Sequence, residues 1–387
     1  MVASGTGDAG GGAPAGGGSG GPLAGVRVLD LTSVVMGPYA TALLGDLGAD
    51  VIVVEGGAME PNRMMGDGPH PQLSGVALNL MRNKRSVAVN LKDPAGRQAL
   101  LAVAATCDAF VTNLRVGALS RARLTYPDLA AVRPDIVYCE AHGYPTGSRR
   151  ADEPAYDDVI QAAAGVADAS RRQHGEPLLA PTILVDKVCG LTIAMAVCAA
   201  LFRRARTGRG ERIEVPMVDT AVAFMLVEHG SAAIPEPPLG RAGYPRVLTP
   251  HRRPQRTSDG WIHVLPYSRA DFEALFAEAG ALSLLEEVPY RDGRDRTLNA
   301  DALYQRVARI MATRTTAEWL EACRRIGVAV TEVAGLDDLV AALPVATHPV
   351  AGDYRVIPPA VRFESAPAGV RRPAPLVGEH TAEVLAE

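Results

Sequence analysis

The feature that most restricts this chain is an alternation of apolar, strand-like runs with helical segments over residues 26–141. Residues 26–31 (VRVLDL) read as a buried strand; a helix follows to about residue 47, opened by Gly37-Pro38 and closed by Gly48. Residues 50–55 (DVIVVE), 86–91 (SVAVNL), 109–113 and 136–141 supply further strands, with a helix predicted over 94–105. Strand and helix in turn predict an α/β fold whose large domain holds an open, mostly parallel, Rossmann-like sheet. Such sheets bind ligands at the carboxyl ends of their strands, so the loops after Leu31, Glu55, Leu91 and Asn113 form the candidate ligand edge. The first turn, Thr32-Ser33-Val34-Val35-Met36-Gly37-Pro38, has no GxGxxG to bring a pyrophosphate against the backbone. That disfavours a nicotinamide or flavin dehydrogenase.

Further along, a long apolar helix is predicted over 188–206, a glycine turn at Gly208-Arg209-Gly210, a strand over 211–215 and a helix over 217–228. After the proline-rich residues 234–238 the texture changes: a strand at 261–264, then helices over 270–280, 302–311 and 316–326, predict a smaller α+β domain. The expected division is a glycine-rich tail at 1–22, a large domain at 23–230, a small domain at 231–343 and a C-terminal segment at 344–387.

Length and composition bound the function. At 387 residues the chain is too long for one simple core. A formal net charge of -4 argues against nucleic acid as the main partner, because phosphate binding draws on a basic surplus. The five cysteines (Cys107, Cys139, Cys189, Cys198, Cys323) are irregularly spaced with no CxxC pair, a poor disulfide framework that favours a reducing compartment. The glycine-rich start lacks the basic opening and apolar centre of a signal peptide, and the apolar stretch at 191–202 is too short to span a bilayer. A cytoplasmic protein without membrane or nucleic-acid partners is expected. The eight histidines show no HExxH or other ligand spacing, so no metal site is predicted.

Asp186 is the first chemical candidate. It falls between an apolar run (Ile183-Leu184-Val185) and a helix, where unpaired backbone N–H groups and the helix dipole favour an ionised carboxylate. The same N–H groups could steady an oxyanion. From spacing alone a plain helix cap is the commoner reading of the position. Tyr156 and Asp157, in Pro154-Ala155-Tyr156-Asp157, mark another helix start and carry the same two readings. Lys84, Arg85, Lys92, Arg115 and Arg121 fall after or between the predicted strands, placed either for phosphate groups or as a solvated basic face.

Taken together, several segments resemble the class III (family III) CoA-transferases, the group that contains formyl-CoA transferase and carnitine CoA-transferase. The carriers are Pro22-Leu23-Ala24-Gly25-Val26-Arg27-Val28-Leu29-Asp30, Leu47-Gly48-Ala49-Asp50-Val51-Ile52, Asn83-Lys84-Arg85-Ser86-Val87 and Pro154-Ala155-Tyr156-Asp157. Val185-Asp186-Lys187, Arg206-Thr207-Gly208-Arg209-Gly210 and Gly378-Glu379-His380-Thr381 complete the series. Each is weak alone; in this order they span nearly the whole chain.

The resemblance implies that Asp186, 30 positions after Tyr156, is the nucleophile of a CoA transfer running through aspartyl anhydride and aspartyl-CoA thioester intermediates. It implies CoA contacts at Val35, Met36, Asn90, Lys92, Asn113, Leu114, Arg115 and Arg121, with Tyr156 and Asp157 at the thioester end. It implies no tightly bound cofactor, a coenzyme A thioester as substrate with a small carboxylic acid as acceptor, a C-terminal segment returning to the large domain, and an interlocked homodimer. Racemases of α-methylacyl-CoA thioesters share the fold and the aspartate but carry histidine where Tyr156 stands; a phenol with an ordinary pKa near ~10 is a poor replacement for that base. A non-catalytic CoA-binding protein is a third reading.

Departures from the family pattern narrow the substrate. Gly56 stands where a basic residue is usual, so one adenine or phosphate contact is either missing or supplied by Arg63, and Val35 replaces a polar residue near the carboxylate. An acid bulkier or less polar than formate or oxalate is expected, selected by small-domain residues around Tyr244, His251 and Tyr267.

Overall fold

The structure is a computed structural model and describes residues 20–56, 59–286 and 288–387. The reading of the chain start as a tail therefore lies, for residues 1–19, outside the described residues. The large domain is built on a six-stranded parallel sheet: β1 (Arg27–Leu31), β2 (Asp50–Glu55), β3 (Lys84–Ala88), β4 (Ala109–Thr112), β5 (Val137–His142) and β6 (Glu211–Pro216). Their spatial order, β3-β2-β1-β4-β5-β6, reverses direction between β1 and β4. At such a switch point the loops leaving the two strands part in opposite directions and open a crevice.

Alternation of side chains along β1 and β5 feeds two cores. Val28, Val137, Cys139 and Ala141 face the helix Met36–Asp46 and the long helix Val185–Thr207; Leu29, Ile136 and Tyr138 face the helix Pro94–Ala105 and its neighbours. The long helix is longer than the apolar run read from sequence, and by length and composition alone it would suffice to cross a bilayer. Its inner face (Val185, Cys189, Ile193, Val197) is instead spent on the large-domain core. Gly190 lets it approach the neighbouring helix closely, because a Cβ there would stand 2.8 Å from the Met36 carbonyl oxygen.

The smaller lobe carries an antiparallel three-stranded sheet of Gln255–Arg256, Trp261–Leu265 and Ala329–Glu332, packed with the helices Arg269–Glu278, Ala300–Met311 and Thr316–Ile326 around buried Trp319. The C-terminal residues return to the β3 edge. The Asn83 side chain accepts from the Arg371 and Arg372 N–H groups, the His380 N–H donates to the Ser86 carbonyl, and Arg85 pairs with Glu383 and Glu387.

Several sequence expectations shift here. The third strand begins at Lys84 and ends at Ala88, so Asn90 and Lys92 lie in the following loop, where the Asn90 carboxamide oxygen accepts the Lys92 N–H. Lys84 and Arg85 are strand residues, not ligand-edge residues. The Lys84 ammonium is fully buried, 2.9 Å from Asp30 Oδ2 and 2.7 Å from Thr41 Oγ1, and burial lowers its pKa. Arg63, the substitute for a basic Gly56, is buried in a two-pronged pair with Glu55 at 2.6 and 2.7 Å. These three cations neutralise buried or edge carboxylates and are not free for phosphate.

Candidate active site

A cavity of about 290 Å³ lies at the switch point. Its walls come from the loop after β1 (Ser33, Val34, Met36), the loop after β4 (Asn113, Leu114, Arg115), the end of β5 (His142, Gly143), and Tyr156, Asp186 and Met217. Chain segments far apart in sequence meet here because parallel strands deliver all their carboxyl ends to one edge.

Asp186 is brought to the cavity in the first turn of the helix Val185–Thr207. The sequence reading had Val185 extended; the helix starts there because Asp157 Oδ1 accepts the Asp186 N–H at 2.9 Å and closes the turn. The group capping this helix is therefore Asp157, itself fixed by Gln161 Nε2, and the Asp186 carboxylate is left for the cavity. Asp157 is buried behind the cavity wall and does not line it.

The electrostatics differ from the sequence expectation. Helix-end N–H groups were expected to hold Asp186 ionised. Instead, burial of a carboxylate only 8% exposed raises its pKa, and the Asp157 carboxylate adds to that; the Met36 N–H opposes both. The net result is a pKa raised to about 6. Near neutral pH the group is still mainly ionised, poorly solvated, and paired with no cation among the described residues. Such a carboxylate is a better nucleophile than a hydrated one, since less water must be stripped before it attacks.

The other nominated residues divide cleanly. Met36, Asn113, Leu114, Arg115 and Tyr156 line the cavity, Tyr156 at its open side with 65% of its surface exposed. Val35 is buried just before the helix Met36–Asp46 and is not part of the wall. Asn90, Lys92 and Arg121 also lie outside the wall. Arg115 donates to the Asp152 carbonyl at 3.4 Å, and Asp152 Oδ1 accepts the Gly117 N–H at 3.0 Å, so an acidic residue stands beside Arg115. Tyr244 and Tyr267 border a separate cavity of about 160 Å³ within the small domain, and His251 pairs with Asp301 at 2.8 Å.

Sequence reading missed Ser33, Val34, His142 and Met217 as wall residues. The first two were legible in principle, because the loop after Leu31 was already a place to look. His142 had no motif to flag it. Its ring is buried, its Nε2 lies 3.6 Å from Glu140 Oε2, and neither ring nitrogen has a hydrogen-bond partner among the described residues.

The sequence model of CoA-transferase family III matches residues 23–381, and the chain belongs to that family. It is 32% identical over 375 residues to succinyl-CoA:glutarate CoA-transferase of Mus musculus, covering 95% of this chain and 86% of the relative. A probable fatty acyl-CoA transferase of Mycobacterium tuberculosis is 31% identical over 94% of this chain and 98% of its own. A crystal structure of a point mutant of that protein superposes with a TM-score of 0.80, covering 96% of this chain and 100% of its own, at 28% identity. This chain is thus a family III CoA-transferase, an enzyme whose substrates are CoA thioesters.

Proposed function

We propose that this enzyme transfers CoA from an acyl-CoA to an acceptor carboxylic acid with Asp186 as the covalent nucleophile. The observation that carries the reading is the buried carboxylate of Asp186, which lines the switch-point cavity beside Met36 with no neutralising cation among the described residues. An Asp186 oxygen attacks the thioester carbonyl; a C–O bond forms, the C–S bond breaks, and CoA leaves as its thiolate. The thiolate then attacks the aspartyl carbonyl of the mixed anhydride, releasing the first acid and leaving an aspartyl-CoA thioester. The acceptor carboxylate attacks that thioester to give a second anhydride. The returning thiolate takes the new acyl group and frees Asp186. No bond to oxygen is hydrolysed, so thioester energy is conserved without ATP.

Arg115, at the cavity wall, is the side chain we assign to the CoA phosphates, with Arg121 beyond it. The acceptor is read as larger than formate or oxalate, and the mouse relative makes short dicarboxylic acids such as succinate and glutarate the first to screen. The exposed apolar residues Leu191, Met195 and Phe202 along the outer face of the long helix support self-association as a homodimer, measurable by light scattering. All five cysteines are free, in keeping with a cytoplasmic enzyme.

Racemisation is the weaker reading. It needs a second base beside Asp186, and the imidazole in the cavity wall, His142, has both ring nitrogens sealed from the cavity by burial. The deciding experiment is mass spectrometry of the enzyme after incubation with acyl-CoA and hydroxylamine. A hydroxamate at Asp186 is expected; an unmodified Asp186 with α-proton exchange into deuterated water would replace transfer by racemisation.

A further inference from the structure

The turn between β1 and the helix Met36–Asp46 is strained. Val34 has φ 70°, a left-handed conformation that a β-branched side chain rarely adopts. Yet this turn leads into Met36, which lines the same cavity as Asp186 and whose N–H lowers the pKa of that carboxylate. Something must hold it.

Two side chains do so from opposite sides. Asn113 accepts the Ser33 N–H at 2.9 Å and donates to the Ser33 carbonyl at 2.8 Å. Glu60 takes the other side: one oxygen, Oε1, accepts from both the Val34 N–H at 2.7 Å and the Ser33 hydroxyl at 3.0 Å. Glu60 is itself anchored. It precedes Pro61, its carbonyl accepts the Arg63 N–H at 3.0 Å, and the Arg63 side chain is buried against Glu55. Burial also raises the Glu60 pKa, and the Val34 and Ser33 bonds oppose that rise. Glu60 does not line the cavity, so any effect on chemistry passes through the turn.

We propose that Glu60 is a positioning residue for the transfer reaction: it clamps the Ser33–Val34 turn in its left-handed conformation and so aims the Met36 N–H at Asp186. Persistence of a left-handed Val34 requires surroundings that over-determine it, and the paired bonds from Glu60 and Asn113 supply them. The proposal rests on Asp186 as nucleophile, but it concerns a different residue and a separate readout. When the anhydride or thioester forms at Asp186, negative charge migrates between its oxygens and the attacked carbonyl. A rigid N–H aimed there stabilises that charge without having to reorganise.

The test compares the wild-type full chain with E60A, E60Q and the double variant E60A/V34G, using a donor and acceptor pair that wild type turns over. Thermal unfolding and CoA binding report whether each variant is folded. E60A is expected to lose about 100-fold in kcat, the scale of a misplaced catalytic group, with KM for acyl-CoA within about threefold. E60Q is expected to stay within about threefold of wild type, because its amide oxygen accepts the same two bonds. E60A/V34G is expected to regain about tenfold over E60A, because glycine occupies positive φ without a side-chain clash. The acid limb of kcat should move up in E60A. The groups acting on Asp186 are the Asp157 and Asp158 carboxylates, the Cys189 thiol and the Met36 N–H, and only the last is disturbed.

An unchanged kcat in folded E60A overturns the proposal. So does an E60Q as impaired as E60A, or a loss that V34G leaves unrestored with the acid limb in place; Glu60 would then serve the fold or act by charge. Hydroxylamine trapping on wild type tests Asp186 by itself. A missing hydroxamate with the Glu60 pattern intact would remove the nucleophile and leave the clamp.

Discussion

Two buried aspartates, Asp30 at the end of β1 and Asp186 at the start of the long helix, show how one side chain serves opposite ends. Asp30 has no exposed surface and every oxygen is engaged: Thr32 donates to Oδ1, while Thr41 and the Lys84 ammonium donate to Oδ2. Asp186 is nearly as buried, but the charges that act on it are those of other carboxylates, opposed by one backbone N–H, that of Met36. Compensated charge makes Asp30 an architectural post. Uncompensated charge suits Asp186 to the nucleophilic role proposed for it, at a cost in stability.

The largest expected effect breaks the Asp186 side of this comparison. Asp186→Asn should lower kcat by at least about 10⁴-fold, as loss of a nucleophile does. The same variant should be more stable than wild type at pH 8. The folded pKa of Asp186 is raised to about 6 from 3.8, so its ionisation disfavours the folded state, and that penalty grows as pH rises from the unfolded to the folded value. Two units correspond to about 3 kcal/mol. Thermal unfolding should show the widest gap at pH 8 and none below about pH 4. An Asp186→Asn variant less stable at pH 8 would mean that the carboxylate is paired after all.

Next comes the Asp30 side. Lys84→Met strands a buried carboxylate and should cost about 3–5 kcal/mol in chemical denaturation. The double variant Asp30→Asn with Lys84→Met should cost less than that single change, because no charge is left unpaired. Additive losses would show that the pair acts through packing and not through charge.

The smallest effect sharpens the like-charge pair. Asp157→Asn keeps an oxygen to accept the Asp186 N–H but removes the neighbouring charge. The acid limb of kcat should move down by less than about one pH unit, since burial, the larger cause, is untouched. Activity at pH 8 should stay within about threefold of wild type. An upward shift would contradict the assigned coupling.

The parts legible in the sequence were local ones. Strands β1, β2, β4 and β5 fell within a residue or two of their predicted bounds, and the helices Pro94–Ala105 and Thr316–Ile326 matched theirs, because periodicity and caps act over a few residues. Asp186 and Tyr156 were picked out by motif order and the Asn113-Leu114-Arg115 run by the family resemblance, and the cavity gathers them. Lys84, Arg85 and Arg63 were misread for one reason: a cation seen alone in sequence looks available. Only the tertiary structure shows which carboxylates they already meet: Asp30 for Lys84, Asp50, Glu383 and Glu387 for Arg85, and Glu55 for Arg63.

What the sequence determined by itself is the order of elements, the parallel sheet they compel and the identity of the aspartate at the helix start. Tertiary structure decided which carboxylate is neutralised and which left bare, that Asp157 caps the helix in place of Asp186, and that Glu60 holds a strained turn beside the site. Backbone geometry is set by neighbours in the chain, whereas a buried group's charge is set by whatever distant segments fold against it.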